Sequence, residues 1–391
     1  MTLSKRNIYL VTNSSIGKRG NIGYRASKII DRANENGWQV HIFSRKSTKY
    51  KNFNINFYET ISRFLNFIRI YVNRRFNHVL IDNFLFQFLE KYLARRKIRN
   101  VGLGLLIHSW GPYTKILEYY KNNGSKIILD VPIACELHAN EIFQNPKSQL
   151  LISKSIEIYE KKAFGLVDKI IVPSQFVADG IIRHYSINPR KIAMVPFGVD
   201  YKKFYAKRFY TKKTAELTFI FTGALNQRKG IFDLINAWDC ETFKNDTLIL
   251  CGRIFPEVRS RIKKLSNGGK VNLTGHVEVE NYLKQADIFV FPTYMEGSAK
   301  CVYEAMASGL PVLTTENSGS IVIQNETGLI TKPGCVASLQ SAMRQLKTDH
   351  FLRQKLGFAG QNQVKRYTWE KYARSICKIY TDVGDEVSKV N

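Results

Sequence analysis

The sequence predicts an α/β protein with two Rossmann-like domains. Short apolar runs alternate with helical patterns along the chain, and such runs are typical of buried parallel strands. The chain has 391 residues, which is enough for two domains of roughly 100–200 residues each. We predict a first domain at residues 1–200, a basic linker over 202–213, a second domain at 214–368 and a C-terminal helix at 369–391.

The charge of the chain predicts an anionic partner. The formal net charge is +27 and the pI is about 9.8, which suits nucleic acid, an anionic membrane or a phosphorylated substrate. No nucleic-acid-binding motif is apparent. Hydrophobic residues make up 44 % of the chain, so we expect a globular protein rather than a disordered one. No window has the ~18 uninterrupted apolar residues of a transmembrane helix.

The N-terminal pattern and the cysteines predict a cytoplasmic protein. The apolar run from Ile8 to Thr12 is too short for the core of a signal peptide. The six cysteines form no C-x-x-C pair and mostly lie in apolar runs, so we interpret them as reduced core thiols.

The chain opens with a strand, a loop, a helix and a second strand. The strands are at Ile8 to Thr12 and Gln39 to Phe43, and the helix between them covers 22–36 with one apolar face. The loop at 13–21 lacks the G-x-G-x-x-G fingerprint, so a nicotinamide enzyme is not favoured.

Residues 60–100 combine aromatic helical faces with basic residues. One apolar face repeats at helical spacing through Phe64, Phe67, Ile68, Tyr71 and Val72. A second pattern, at 84–92, runs into three consecutive cations, Arg95, Arg96 and Lys97. Such faces suit the interface of an anionic bilayer. The alternative is that they pack on the first sheet and leave the cations solvated.

Two histidines lie near the ends of later strands in the first domain. Strands are predicted at 103–108 and 126–131, and their carboxyl ends face the ligand edge of an open α/β sheet. His108 ends the first of these strands, and His138 lies several residues past the second. Each is a candidate ligand contact, with a structural role in the core as the alternative.

The second domain begins with a strand at 217–221 and a loop that ends in Arg228-Lys229-Gly230. This loop aims a pair of cations at the ligand edge of the sheet. Fixed cations there suit an anionic ligand. The alternative is a solvated surface pair. Further strands are predicted at 248–251 and 271–277.

The stretch from Phe289 to Thr315 places two carboxylates beside a helix start. A buried strand is predicted at 287–291, followed by a helix at 300–308. Glu296 lies in the loop between them, and Glu304 lies eight positions later, in the helix. The free N–H groups around residues 299–301 predict an anion site. The alternative is one loop acid and one solvated helix acid.

The spacing of Glu296 and Glu304, which continues into EAMASGLPV, resembles the signature of the family 4 glycosyltransferases, retaining enzymes of the GT-B fold. The resemblance runs over nearly the whole chain. KIAMVPFGVD at 191–200 is similar to the family's crossing between domains, and VNLTGHV at 271–277 is similar to its nucleobase segment. It implies two facing Rossmann-like domains with an interdomain cleft, and a C-terminal helix that crosses back to the first domain.

The resemblance implies a role for each candidate residue. Glu296 would contact the donor sugar, Glu304 the ribose hydroxyls, and Lys229, beside Arg228, the diphosphate. His138 would contact the donor sugar, although it lies further past its strand than the family's histidine does. The other substrate-binding positions belong to the first glycine loop, the nucleobase segment and the helix start: Gly20, Asn21, Gly275, Val277, Gly297, Ser298, Ala299 and Lys300.

Two positions depart from the family pattern. Asn21 stands where the family has the second glycine of its loop, and asparagine tolerates a positive φ better than most residues. Ala224 stands where an arginine often follows the glycine of the second domain's first loop, and Arg228 would compensate for it.

The implied activity is retaining transfer of a hexose from a nucleotide-diphosphate sugar to an acceptor hydroxyl, in the synthesis of lipopolysaccharide, capsule or another cell-surface glycan. We expect no metal or other cofactor, because no D-x-D-like pair stands in the predicted cleft elements. Expected partners are the donor, a glycan or lipid-linked acceptor and the anionic inner face of a membrane, but no nucleic acid. The alternatives are a basic membrane- or nucleic-acid-binding protein on a degenerate GT-B fold, or a phosphorylase or epimerase.

Overall fold

The computed structural model describes residues 7–16, 22–47, 105–143, 150–206, 216–238, 241–264 and 270–388. The predictions for Gly20, Asn21 and the 60–100 segment lie outside these ranges. The chain divides into two compact units, Met1–Val195 with Tyr372–Asn391, and Pro196–Lys371. Within the described ranges, no helix is long and apolar enough to cross a bilayer.

The first unit is built on a parallel sheet of six strands in the order β2-β1-β3-β4-β5-β6. Its strands are β1 (Asn7–Ile16), β2 (Gln39–Ser47), β3 (Leu106–Ser109), β4 (Lys126–Asp130), β5 (Lys169–Val172) and β6 (Ile192–Met194). Its helices are α1 (Ile22–Glu35), α2 (Thr114–Asn122), α3 (Glu136–Phe143), α4 (Leu150–Leu166) and α5 (Gln175–Tyr185).

Burial on both faces of the sheet explains the apolar runs of the first unit. In β1, Tyr9 and Val11 pack into one core, while Ile8 and Leu10 are fully buried on the opposite face. A strand with water on one side would alternate apolar and polar residues instead. The continuous apolar pattern therefore predicts the parallel arrangement correctly.

The second unit also contains a parallel six-stranded sheet, in the order β12-β11-β10-β7-β8-β9. Its strands are β7 (Thr218–Thr222), β8 (Thr247–Cys251), β9 (Lys270–Gly275), β10 (Ile288–Phe291), β11 (Val312–Thr315) and β12 (Leu329–Thr331). Its helices are α6 (Tyr201–Phe204), α7 (Ile231–Ala237), α8 (Pro256–Lys264), α9 (Glu280–Gln285), α10 (Lys300–Ala307), α11 (Val336–Thr348) and α12 (His350–Val364). Helix α13 (Trp369–Ser388) follows, and from Tyr372 onward it belongs to the first unit.

The core of the second unit is centred on β10, all four residues of which are fully buried. An aromatic cluster packs beside it, with the Phe219 ring 5.4 Å from Trp238 and 5.3 Å from Phe243. Edge-on contacts of this kind are favourable beyond the burial of area alone. The two sheets with their helices confirm the α/β prediction.

The strand order of the second sheet marks where a ligand is expected. Strand β7 lies between β8 and β10, so the order reverses at this point. Ligands of open α/β sheets bind outside the carboxyl ends of the strands at such a reversal. The loops after β7 and β10, which carry Lys229 and Glu296, both leave the sheet there.

Candidate active site

The loops after β7 and β10 are joined through the backbone of Arg228. Its carbonyl oxygen accepts a 2.9 Å hydrogen bond from the Tyr294 amide and another from the Thr293 hydroxyl. Gly230 lies beside this junction with φ of 73°, and a Cβ there would overlap the carbonyl oxygen of Pro292. Only glycine fits both conditions, which explains the glycine after the Arg-Lys pair.

A cluster of three charged side chains forms at this junction. Arg228 Nη1 lies 2.7 Å from Glu296 Oε1, and Lys229 Nζ forms an ion pair with the same oxygen. Only 15 % of the Lys229 side chain and 13 % of the Glu296 side chain are exposed, so these charges interact in surroundings that screen them weakly. Because two cations share one carboxylate, the cluster keeps a net positive charge.

Further contacts hold the two cations in place. Arg228 Nη1 also donates to the Met295 carbonyl oxygen at 2.8 Å. Lys229 Nζ lies 5.2 Å from the centre of the Phe291 ring, a cation–π contact. The side chain of Asn226 accepts from the Lys229 amide at 3.2 Å and caps the turn that carries both cations. The cluster is therefore held in place by the loops around it.

The loop that carries Glu296 is anchored on its other side by residues after β11. The Glu296 amide donates to the Asn317 carbonyl oxygen at 2.9 Å, and Asn317 Nδ2 donates to the Tyr294 carbonyl oxygen at 2.8 Å. The Tyr294 hydroxyl hydrogen-bonds Asp233, and burial together with this bond raises the pKa of Tyr294 to about 12. No local sequence pattern marks Asn226, Asp233 or Asn317 as part of this site.

The start of α10 differs from the prediction at one amide. Ala299 precedes the helix, and its N–H donates to the Ser318 carbonyl oxygen at 3.0 Å. The expectation that this N–H is free to bind an anion was wrong, because the turn after β11 supplies its acceptor. Gly297, Ser298 and Lys300 flank it, and the Ser298 hydroxyl lies 2.7 Å from the Tyr303 hydroxyl.

Glu304 lies within α10 and is partly exposed. Burial raises the pKa of its carboxyl to about 7, against the opposing effect of the nearby cations Lys300 and Lys203. A carboxyl group in this state loses its proton readily when a ligand donates hydrogen bonds to it. Glu304 can therefore bind neighbouring hydroxyl groups, as its predicted role requires.

The affinity for the predicted nucleotide-sugar donor is expected to fall as the pH drops below about 7, because Glu304 then becomes protonated and accepts hydrogen bonds poorly. The expected slope is about a tenfold rise in Kd per pH unit below this pKa. Calorimetric titration of the donor between pH 5.5 and 8.5 would measure it. Glu304→Gln should bind weakly at all pH values and lose the slope, whereas the exposed Glu257→Gln should keep it. An unchanged slope in Glu304→Gln contradicts the assignment.

The segment predicted to hold the nucleobase lies beside the same loops. The Gly275 carbonyl oxygen accepts from the Gly252 amide at 2.7 Å, and Val277 packs against the core. The Leu225 amide, in the loop after β7, donates to the Arg253 carbonyl oxygen at 2.9 Å. The loops after β7, β8 and β9 are thus joined, and they bring Gly275 and Val277 to the edge that carries Lys229.

His138 lies in the first unit, in α3 rather than at a strand end. It is buried, and its ring packs 4.7 Å from the ring of Phe176 on α5. Burial lowers its pKa, and the positive charge of Arg183 lowers it further. This packing suits a structural role for His138. Its contact with the donor sugar stays a prediction.

The other histidine, His108, belongs to a buried polar network of the first unit. Its Nδ1 lies 2.6 Å from the Tyr380 hydroxyl of α13. Its Nε2 lies 3.8 Å from Asp130, which forms a 2.8 Å ion pair with Arg25 of α1. No local sequence pattern connects these residues, because they lie on four separate elements.

A metal centre is not apparent in the described ranges, where no three His, Cys, Asp or Glu side chains are grouped as a metal ion would need.

Comparison with known proteins shows similarity to glycosyltransferases over most of the chain. Residues 203–363 match the family model of the group 1 glycosyl transferases, and residues 24–203 match that of Glycosyltransferase Family 4. Together the two matches span residues 24–363, so each of the two units is similar to a domain found in glycosyltransferases.

Among individual relatives, the capsular polysaccharide biosynthesis glycosyltransferase CapM of Staphylococcus aureus is 26 % identical over 228 residues, which are 53 % of this chain and 60 % of CapM. The match spans less than two thirds of the length of CapM and of several other curated relatives, at 48–63 % of each.

Solved structures share the fold over almost the whole chain. Sucrose-phosphate synthase from Thermosynechococcus elongatus has a TM-score of 0.68 at 19 % identity, covering 97 % of this chain and 99 % of that one. HepE of Anabaena, solved with UDP and glucose, has a TM-score of 0.62 at 14 % identity, covering 96 % and 100 %. These likenesses confirm the predicted GT-B fold.

Proposed function

We propose that this protein transfers a hexose from a nucleotide-diphosphate sugar to an acceptor hydroxyl, with retention at the anomeric carbon. The observation that carries the proposal is the cluster of Arg228, Lys229 and Glu296 at the point where the strand order reverses. A net positive site on fixed loops suits a diphosphate. Glu304 lies on the adjoining helix, where it suits a ribose.

Binding of the donor would rearrange the charge cluster. The diphosphate competes with Glu296 for the two cations, because both offer anionic oxygens. Once released from Lys229, the carboxylate of Glu296 can accept hydrogen bonds from the hydroxyls of the hexose. Glu296 would thus position the sugar while Arg228 and Lys229 hold the leaving group.

The cations would then act on the chemical step. The bond between the anomeric carbon and the β-phosphate oxygen breaks, and negative charge gathers on the departing diphosphate, where Lys229 stabilises it. The acceptor oxygen forms its bond to the anomeric carbon on the same face, and its proton passes to the departing phosphate. This front-face route gives retention without a protein nucleophile, and no metal is required for it.

Two similarities support the class of donor and product. HepE was solved with UDP and glucose, which makes a UDP-hexose the first donor to test. CapM is named for capsular polysaccharide biosynthesis, which supports a role in cell-surface glycan synthesis. We propose that the acceptor is a glycan or a lipid-linked glycan and that the protein acts at the inner face of the membrane.

The proposal is tested by a donor screen followed by analysis of the product. UDP-, GDP- and ADP-sugars are ranked by thermal shift, and the best donor is incubated in EDTA with a panel of octyl glycosides. We expect an α-linked product from an α-linked donor, identified by the NMR coupling constant of its anomeric proton. A β-linked product contradicts retention. Nucleotide release that needs no acceptor indicates an epimerase, and activity that requires added Mg²⁺ contradicts the metal-free mechanism.

A further inference from the structure

Helix α12 exposes two phenylalanines on one face. Phe351 is 76 % exposed and Phe358 is 66 % exposed. Residues seven apart lie almost above one another on a helix, so both rings project from the same face. Large apolar side chains normally gain stability by leaving water, and a pair left on one face indicates a surface that something else covers.

The packing of α12 fixes this orientation. Its opposite side is buried, with Leu356 and Val364 completely inaccessible and Gly360 close to the Thr327 carbonyl oxygen. Arg353 is also buried and donates to the carbonyl oxygens of Leu346 and Lys347, at 2.6 and 2.7 Å. The helix therefore cannot turn its phenylalanines inward without giving up this core.

The charges on the exposed face are all positive. Lys355 lies between the two rings, and Lys365 follows near the end of the helix; both are exposed. Residues 350–366 contain no aspartate or glutamate, and the exposed acid beside the face, Asp349, caps the helix by accepting from the Leu352 amide. The face therefore combines projecting aromatic rings with a local excess of positive charge.

An anionic bilayer fits this combination better than a protein partner. Aromatic rings insert at the boundary between headgroups and acyl chains, and neighbouring lysines attract anionic headgroups. A stable protein interface buries about 800 Å² on each partner around an apolar centre. The face of α12 is instead narrow, because polar Gln354 and Asn362 flank the rings.

We infer that the exposed face of α12 binds the surface of an anionic bilayer, with Phe351 and Phe358 inserted and Lys355 and Lys365 against the headgroups. No residue of this surface belongs to the 60–100 segment. It is also independent of the loops that carry Lys229 and Glu296, so the inference stands whether or not the proposed transfer is correct.

The test is co-sedimentation of the full chain with vesicles of phosphatidylcholine alone or mixed with phosphatidylglycerol at a 3:1 ratio. We expect binding to the mixed vesicles and at least a tenfold loss of the partition coefficient in F351S/F358S and in K355E/K365E. The matched control is I158S/I323S, which removes two exposed apolar side chains outside this face and should bind like the unaltered chain.

Three results would overturn the inference. These are unaltered binding by F351S/F358S, equal binding to vesicles without phosphatidylglycerol, or a concentration-dependent dimer, seen by light scattering, that F351S/F358S abolishes. Unfolding temperatures of all variants are measured alongside, since these side chains are exposed and their loss should leave the fold intact. Sugar transfer from the screened donor to an octyl glycoside by F351S/F358S, in the absence of lipid, should equal that of the unaltered chain, which separates this test from that of the proposed transfer.

Discussion

Lys229→Ala and Glu296→Ala are each expected to lower kcat by about 10²-fold or more, the scale of losing one preorganised charge stabiliser. The first substitution removes the contact between the Lys229 side chain and the departing diphosphate. The second removes the contact between the Glu296 carboxylate and the donor sugar. Steady-state kinetics with the donor identified by screening measure both effects. The matched control is Lys284→Ala, which removes an exposed lysine from α9 of the same unit and should leave kcat unchanged.

Because Lys229 and Glu296 are in contact, their effects should not add. We expect the double variant to be less impaired than the product of the two single effects, since removal of either side chain already disrupts the cluster. Near-normal turnover in one single variant would remove that residue from the site. Fully multiplicative effects would show that the ion pair has no bearing on catalysis.

Gly230→Ala is expected to destabilise the second unit by about 3 kcal/mol or more, the sum of a left-handed alanine and an overlap with the backbone. The added Cβ would collide with the carbonyl oxygen of Pro292, and φ at this position is 73°. Urea unfolding followed by circular dichroism measures the loss. Activity should fall with it, because the collision separates the loops that carry Lys229 and Glu296.

The matched control for Gly230 is Gly275→Ala. Gly275 has nearly the same φ, 74°, but a Cβ there meets nothing within 4 Å. Gly275→Ala should therefore lower the free energy of unfolding only by the backbone strain, about 1 kcal/mol. Equal losses in the two variants would show that contact with Pro292 contributes nothing to the stability of the loop junction.

Local chemistry made much of the fold predictable. The buried apolar runs matched parallel strands, and the helix after Glu296 ends, as expected, shortly before Gly309, which has φ of 71°. Lys229 and Glu296 were both expected at the ligand edge of the sheet, and the loops that carry them leave the carboxyl edge of neighbouring strands.

Contacts between distant segments were not predictable. Arg228 and Lys229 share a single oxygen of Glu296, about 68 positions away, and no local pattern encodes this geometry. The Ala299 amide appeared free because its acceptor, the Ser318 carbonyl oxygen, belongs to a turn after the next strand. Likewise, nothing around His138 in the sequence indicates that its ring packs against Phe176.

The carboxylate that Arg228 and Lys229 share has a consequence for the end of the proposed catalytic cycle. While a sugar is attached to the nucleotide, its hydroxyls occupy Glu296. After transfer, the spent nucleotide no longer offers those hydroxyls, and Glu296 is free to return to the two cations. It then displaces the diphosphate from them. The same side chain would thus favour binding of the intact nucleotide sugar and release of the nucleotide after transfer.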